Sequence, residues 1–265
     1  MSALLENRVA IITGAGRGIG FGIAEVFGRE AATVVIGELV EDRGEEAAEK
    51  LRAAGFRADA IPLDVTHVES CNQLTRRVLA EYGRIDILVN NAGLFFLDKS
   101  EDTPEDHWRI QMDVMLNGAF FMTQAVAREA MIPQHQGAIV NIASIGGMGG
   151  WPMRTAYDAA KAGLIVLTEG LATEWAQYNI RINSVSPGVC RTEMTESLTR
   201  QGLVSLEKYV NRTPLGRLAE VSDIAEAVLF LASERASFVT GENLRVDGGW
   251  VPYGNLYALG FPEES

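Results

Sequence analysis

Short apolar runs of strand length alternate with stretches of helical periodicity from one end of the chain to the other. Val9 to Ile12 is apolar, rich in β-branched residues, and stops abruptly at glycines. Beyond them, Ile19, Ile23, Val26 and Phe27 are spaced for one apolar face of a helix. The pairing recurs: strand-like Thr33 to Ile36 precedes helix-like Glu41 to Ala54, and strand-like Arg57 to Leu63 precedes helix-like Val68 to Tyr82. Ile85 to Val89 predicts a fully buried strand, followed by a long helical segment from Pro104, a first-turn proline, towards Met131. Strand-like Gly137 to Ile142 leads to helix-like Thr155 to Tyr178, then strand-like Ile180 to Val185. Ser222 suits the cap of a helix reaching Leu231, and Asn243 to Val246 makes a short last strand. The apolar runs lack in/out alternation, as expected of strands covered on both faces.

This βαβ rhythm predicts an α/β fold, a doubly wound, mostly parallel sheet with helices on both faces. No linker, repeat or shift in composition divides the chain, so a single domain over residues 1–265 is expected. Residues 190–215 break the rhythm, being polar, weakly periodic and rich in Thr, Arg and Glu. Ligands of open α/β sheets bind beyond the carboxyl ends of the strands. An excursion there is either a substrate lid or a surface loop without a role.

Composition narrows the function classes. A chain of 265 residues with 47% apolar and 22% charged residues has the balance of a soluble globular protein. Its net charge of −12 argues against nucleic acid or an anionic membrane as partner. Cys71 and Cys190 stand far apart, and His67, His107 and His135 show no ligand spacing, so neither a disulfide nor a metal site is expected. No apolar stretch approaches about 18 residues, and the N-terminus lacks a basic-then-apolar leader. A cytoplasmic location follows as an expectation.

The first strand-to-helix junction carries the first chemical signal. Thr13-Gly14-Ala15-Gly16-Arg17-Gly18-Ile19-Gly20 presents backbone N–H groups at a helix start, where a pyrophosphate fits. The glycines miss the G-x-G-x-x-G register, and no Gly-Lys-Ser/Thr follows, which leaves a tight structural turn as the competing reading. Glu38, 18 residues past Gly20 at the end of the next apolar run, favours a nucleotide. A carboxylate there accepts from an adenosine ribose and repels a 2′-phosphate, so the pair reads as NAD binding. Arg17, a base inside the loop, points towards NADP instead.

The second signal is Tyr157 and Lys161, four residues apart and so on one helix face. A phenol is a poor base at neutral pH, but an ammonium beside it stabilises the phenolate. Alone, such a pair is more often an inert surface contact. Ser144 stands just past a strand end, 13 residues before Tyr157, and Asn117 sits within the long helix beside Gly118. Read singly, each of these has a structural explanation, a turn for Ser144 and a backbone-satisfied amide for Asn117.

Together, Thr13-Gly-x-x-x-Gly18-Ile19-Gly20, Asn90-Asn91-Ala92-Gly93, Asn117, Ser144, Tyr157-x-x-x-Lys161, Pro187-Gly188 and Asp247-Gly248-Gly249 resemble the short-chain dehydrogenase/reductase family. The resemblance runs from residue 8 to about residue 250. It is closest to the group of about 250-residue oxidoreductases that includes 3-oxoacyl-carrier-protein reductases and sugar or polyol dehydrogenases. It implies a Rossmann fold with seven strands in the order 3-2-1-4-5-6-7, and a homotetramer. It implies that Tyr157 is the general acid/base, that Lys161 tunes it and holds the nicotinamide ribose, that Ser144 positions the substrate oxygen, and that Asn117 supports a water in a proton relay. For the cofactor it implies Gly14, Gly16, Arg17, Gly18, Ile19 and Gly20 at the pyrophosphate, and Asp64 and Val65 beside the adenine. Asn91, Ala92 and Gly93 would line the cleft, and Pro187, Gly188, Val189 and Thr192 would meet the carboxamide.

The expected function is hydride transfer between NAD and a small-molecule secondary alcohol (a sugar, polyol or other hydroxy compound) or its ketone or lactone. The alternatives are an NADP(H)-preferring ketone or acyl-thioester reductase and, more remotely, a non-catalytic nicotinamide sensor. Leu94, Phe95, Phe96, Met148, Trp151, Met153 and Arg154 stand where substrate specificity would be set. Trp151 is either a stacking platform or core, and Arg154 either an anion site or a solvated charge. The aromatic tail over 250–265 (Trp250, Tyr253, Tyr257 and Phe261) either packs on a neighbouring subunit or closes a pocket.

Overall fold

The computed structural model describes residues 3–253. Seven strands form one wholly parallel sheet: β1 (Val9–Thr13), β2 (Thr33–Glu38), β3 (Arg57–Pro62), β4 (Ile87–Asn90), β5 (Gly137–Ile142), β6 (Ile180–Pro187) and β7 (Asn243–Val246). Their spatial order is β3-β2-β1-β4-β5-β6-β7, so the direction of winding reverses between β1 and β4. Helices α1 (Gly18–Arg29), α2 (Glu41–Ala53) and α10 (Val221–Ala232) contribute to the core on one face. The other face carries α3 (Val68–Tyr82), α5 (Gly118–Val126) and α7 (Thr155–Trp175). Alternate residues of β1 divide between the faces: Ala10 and Ile12 with the first group, Val9 and Ile11 with the second. Both sets are apolar because both faces are covered, which is why no alternation is visible along the chain.

The structure departs from the periodicity in instructive places. β4 starts at Ile87 rather than Ile85, because Asp86 turns its carboxylate onto the Val9 N–H (2.9 Å). β6 runs on to Pro187, where β7 pairs with Ser184–Pro187. The helical stretch after Pro104 reaches Gln134 in pieces, α4 (Glu105–Met112), α5 and α6 (Ile132–Gln134). Wider π turns at Asp113–Asn117 and Ala127–Met131 join them. Pro104 is the cap, in extended backbone, and not the first helical residue. Ser222 likewise lies inside α10, whose cap is Glu220 in a reciprocal capping box with Asp223. Residues 190–215, expected as a substrate lid or a surface loop without a role, carry two short helices, the amphipathic α8 (Glu193–Arg200) and α9 (Leu206–Arg212). Thr192 caps α8 through the Thr195 N–H. No helix among the described residues is long and apolar enough to cross a membrane.

Candidate active site

A cleft of about 490 Å³ opens at the carboxyl ends of the strands, where β1 and β4 part. This is where nucleotides settle in doubly wound sheets. Thr13 ties the two strand ends together, its Oγ1 accepting the N–H groups of Asn91 and Ala92 at 3.0 Å each. Asn91 Nδ2 returns the bond to the carbonyls of Thr13 and Gly14, both at 3.0 Å. Gly14 turns with φ 63°, and a Cβ there would lie 2.9 Å from the Ala92 Cα, so only glycine fits. The result is a bare backbone cradle leading into α1, which fits a dinucleotide pyrophosphate.

Gly14, Arg17, Gly18 and Ile19 line the cleft, as do Glu38, Asp64, Val65 and Asn91 to Gly93. Pro187, Gly188, Val189 and Thr192 close its far side. Gly16 and Gly20 stand behind this wall. A Cβ on Gly20 would strike Asn91 Nδ2, and the Gly16 N–H is spent on Glu38 (3.1 Å).

Glu38 is buried, at 4% exposure, and its carboxylate also accepts Val40 N–H and Arg43 Nη2 (2.5 Å). Burial pushes this carboxyl up, but the bonds from Arg43, Val40 and Gly16 outweigh it and hold the group below its usual range. Asp64 is lowered in the same contest, burial losing to Thr66 and His67. Arg17 does not face Glu38. Its guanidinium pairs with Glu193 of α8 (3.6 Å) across the cleft mouth.

Tyr157 and Lys161 both project from α7 into the cleft, with Ser144 opposite, just past β5. Ser144 stands beside the Tyr157 phenol, near enough for its hydroxyl to favour the phenolate. Ser144 Oγ accepts the Gly146 N–H (3.0 Å), which fixes its rotamer. Lys161 is 5% exposed, donates Nζ to the Ile142 carbonyl (2.6 Å) and lies 5.8 Å from the Tyr157 ring centroid. Burial pulls its ammonium down to about 8. Burial also pushes the Tyr157 phenol up, against the nearby Ser144 hydroxyl and Arg154 charge. The lowering of the phenol expected from the Tyr/Lys spacing is therefore reversed: desolvation disfavours both charged forms, and Lys161 does not overcome it.

Asn117 does not join this group. Its side chain is exposed, donates Nδ2 to Asp113 (2.8 Å) and lies outside the cleft lining. Two residues earlier, Met115 occupies the cleft-facing position at 1% exposure. A two-residue step on a helix turns a side chain to nearly the opposite face.

Residues 14–251 match the family model described as enoyl-(acyl carrier protein) reductase. A 3-oxoacyl-acyl-carrier-protein reductase of Thermotoga maritima is 38% identical over 247 residues, 93% of this chain and 99% of that one. A short-chain type dehydrogenase/reductase from Mycobacterium marinum superposes with a TM-score of 0.88 at 32% identity, covering 94% and 98% of the two chains.

The chain belongs to the short-chain dehydrogenase/reductase family.

It is an NAD(P)-dependent oxidoreductase of the kind that acts on alcohols. A trans-4-hydroxycyclohexanecarboxylate dehydrogenase of Sinomonas cyclohexanicum is similar as well, 40% identical over 265 residues and 97% of each chain.

Within this short-chain dehydrogenase/reductase, several cleft residues lie outside the set expected from sequence. Arg43 had one available signal, being a cation in the first turn of a helix, the end that favours anions. Met115 had none, since a methionine in a helical segment reads as core. Tyr209, Leu198 and Val204 come from the excursion over 190–215, which therefore covers the cleft. Of the specificity candidates, Leu94, Phe95, Trp151 and Arg154 line it; Phe96, Met148 and Met153 do not. Trp250 stacks on Trp151 (5.4 Å, 20°), so the start of the tail packs against the pocket of its own subunit. Tyr257 and Phe261 lie outside the described residues.

The position of Asn117 yields a direct expectation. Asn117→Ala leaves kcat/KM within about twofold of the parent, since an exposed side chain away from the chemistry rarely matters. A loss of a hundredfold in a steady-state assay would return Asn117 to the catalytic group.

Proposed function

We propose that the protein oxidises a small secondary alcohol to its ketone, or a cyclic hemiacetal to its lactone, using NAD. The observation that carries this reading is the convergence of Ser144, Tyr157 and the buried Lys161 on the switch-point cleft, with Lys161 Nζ 5.8 Å from the centre of the phenol ring. A nicotinamide dinucleotide, held by Gly14, Arg17, Gly18, Ile19, Glu38 and Asn91 to Gly93, would supply the hydride acceptor or donor for the carbinol carbon. Ser144 Oγ holds the substrate oxygen while Tyr157 Oη takes the hydroxyl proton. Lys161 Nζ, anchored on the Ile142 carbonyl, supplies positive charge beneath the phenolate that results.

Two observations favour NAD over NADP. Glu38 puts a carboxylate at the end of β2, and Arg17 is engaged by Glu193. One observation favours the second reading, an NADP(H)-preferring reductase of ketones or acyl thioesters. Arg43 lines the same cleft, and among the described residues Glu38 is the carboxylate that pairs with it. Glu38→Ala is accordingly expected to raise the NADP⁺/NAD⁺ ratio of kcat/KM by about tenfold or more, by freeing a guanidinium for a phosphate. An unchanged ratio would count against Glu38 as the discriminating group.

Initial rates with NAD⁺ and NADP⁺ against cyclic alcohols, linear secondary alcohols, polyols and aldoses test the reaction itself. Reduction of NAD⁺ by one class supports it. Silence across the panel, with NADH still bound in a fluorescence titration, would leave the nicotinamide-sensor reading in its place. A cytoplasmic homotetramer completes the proposal, and light scattering reads the assembly.

A further inference from the structure

Among the described residues, Arg154 is the one cleft-lining cation that neither the dinucleotide reading nor the proton chemistry uses. It caps α7, one turn before Tyr157, at the end of the helix where positive charge is disfavoured. It is not a solvated surface charge. The guanidinium lies over the rings of Phe95 (5.2 Å) and Trp151 (4.8 Å), and Nη2 donates to the Tyr209 hydroxyl (2.6 Å). Those partners are neutral and come from three separate stretches of chain.

Among the described residues, no carboxylate lies within ion-pairing distance of Arg154. Asp158 is near enough to feel its charge, but one Asp158 oxygen is taken by the Trp151 N–H (2.8 Å) and the other is buried without a partner. Of the five N–H donors of a guanidinium, one is used. A chain of net charge −12 disfavours anions in general, which makes a cation without an ion-pair partner inside a cleft a specific feature. Arg also suits this setting better than Lys. Its plane is weakly hydrated, stacks on aromatic faces and presents two parallel donors to a carboxylate.

Phe95 relates this cation to the chemistry. Its ring centroid lies 5.1 Å from that of Tyr157, edge to face, and 5.2 Å from the Arg154 guanidinium carbon. The Tyr157 ring centre and the guanidinium carbon are therefore no further apart than the sum of those distances. Phe95 and Trp151 offer apolar surface to a carbon skeleton lying between the two groups.

We propose that the substrate is a hydroxy acid, its carboxylate paired with Arg154 and its hydroxyl on Ser144 and Tyr157. This rests on the secondary-alcohol reading and names its substrate class. Arg154 is the specificity-determining residue, and Tyr209 is a positioning residue that aims the guanidinium.

The test uses the NAD-loaded enzyme with 3- and 4-hydroxycyclohexanecarboxylates and 3-hydroxybutanoate, each beside its uncharged methyl ester. The acids are expected to exceed their esters in kcat/KM by about 10- to 100-fold, the worth of a charge-assisted hydrogen bond. Arg154→Gln should erase that ratio, acting chiefly on the acids and mainly through KM, with Arg154→Lys intermediate. Tyr209→Phe should lower the ratio without abolishing it. Esters equal to acids in the parent enzyme, or a ratio that survives Arg154→Gln, would overturn the proposal.

Binding of cyclohexanecarboxylate to the NADH complex, followed by calorimetry, is the second measurement and does not depend on turnover. Binding that Arg154→Gln abolishes supports the carboxylate site even if no alcohol is oxidised, in which case the reaction assignment alone fails. No binding to the parent complex overturns the carboxylate site, whichever neutral alcohols turn over.

Discussion

Tyr157→Phe is expected to lower kcat at least about a thousandfold while NADH affinity stays within a few-fold, because the variant loses one oxygen atom and no packing. General acid–base catalysis by a positioned group is worth roughly 10²–10⁴. With Ser144 and Lys161 beside it, Tyr157 is the one phenol positioned for that task among the described cleft residues; Tyr209, the other tyrosine there, is bonded to Arg154. The pH profile supplies a second signature. Alcohol oxidation needs the phenolate, and burial pushes the Tyr157 phenol above its ordinary value, so kcat/KM for oxidation should climb through the alkaline range. Ketone reduction needs the neutral phenol and should fall over the same range. Stopped-flow turnover and a fluorescence titration of NADH check the two halves together. Full activity in the Phe variant would remove Tyr157 from the chemistry.

Lys161→Met should cost at least about a hundredfold in kcat and yet make the cofactor-free protein more stable at neutral pH. Lys161 titrates near 8 in the folded protein and near 10.5 unfolded, because burial disfavours its ammonium. The unfolded chain therefore binds more protons between those values, and stability rises with pH across that window. Below about pH 8 the cost is present in full, on the order of 3 kcal/mol. Methionine removes this cost but leaves the Ile142 carbonyl without its donor, which returns about 1–3 kcal/mol. A net gain of about 1 kcal/mol, or roughly 2–4 °C in Tm, is expected at pH 7. The gap should close as pH rises towards 10.5. Thermal melts of both proteins from pH 6.5 to 10.5 read this, and a variant less stable at every pH would show that Lys161 is not strained by burial. The catalytic ammonium is thus expected to oppose folding, a compromise common at sites where charge is held out of water.

The candidate catalytic residues are legible in unequal measure. Ser144, Tyr157 and Lys161 stand out in the sequence through local spacing on or beside regular elements and through the family motifs to which they belong. Glu38 was legible as an acidic residue at a strand end. Its bond to Arg43, five residues on, was not, because that contact depends on how α2 leaves the strand. Asn117 was chosen for residue type and neighbourhood. Its failure to face the cleft turns on the π turn at Asp113–Asn117 and on the angle at which that helix meets the sheet, neither of which a sequence pattern displays.

By itself, the sequence determined the order of the seven strands and of the longer helices between them, the two-faced burial of the sheet, the glycine turn at residues 13–20 and the Tyr157/Lys161 face. Each of these is settled by forces acting within a few residues: apolar periodicity, the steric freedom of glycine, and the 3.6-residue turn. Tertiary packing alone decided that Met115 and not Asn117 enters the cleft, and that α8 and α9 cover it. It also brought Phe95, Trp151 and Tyr209 around Arg154. Those outcomes join residues up to 114 positions apart, between Phe95 and Tyr209. No local preference distinguishes one such contact from another, and only burial of the whole core against the sheet selects among them.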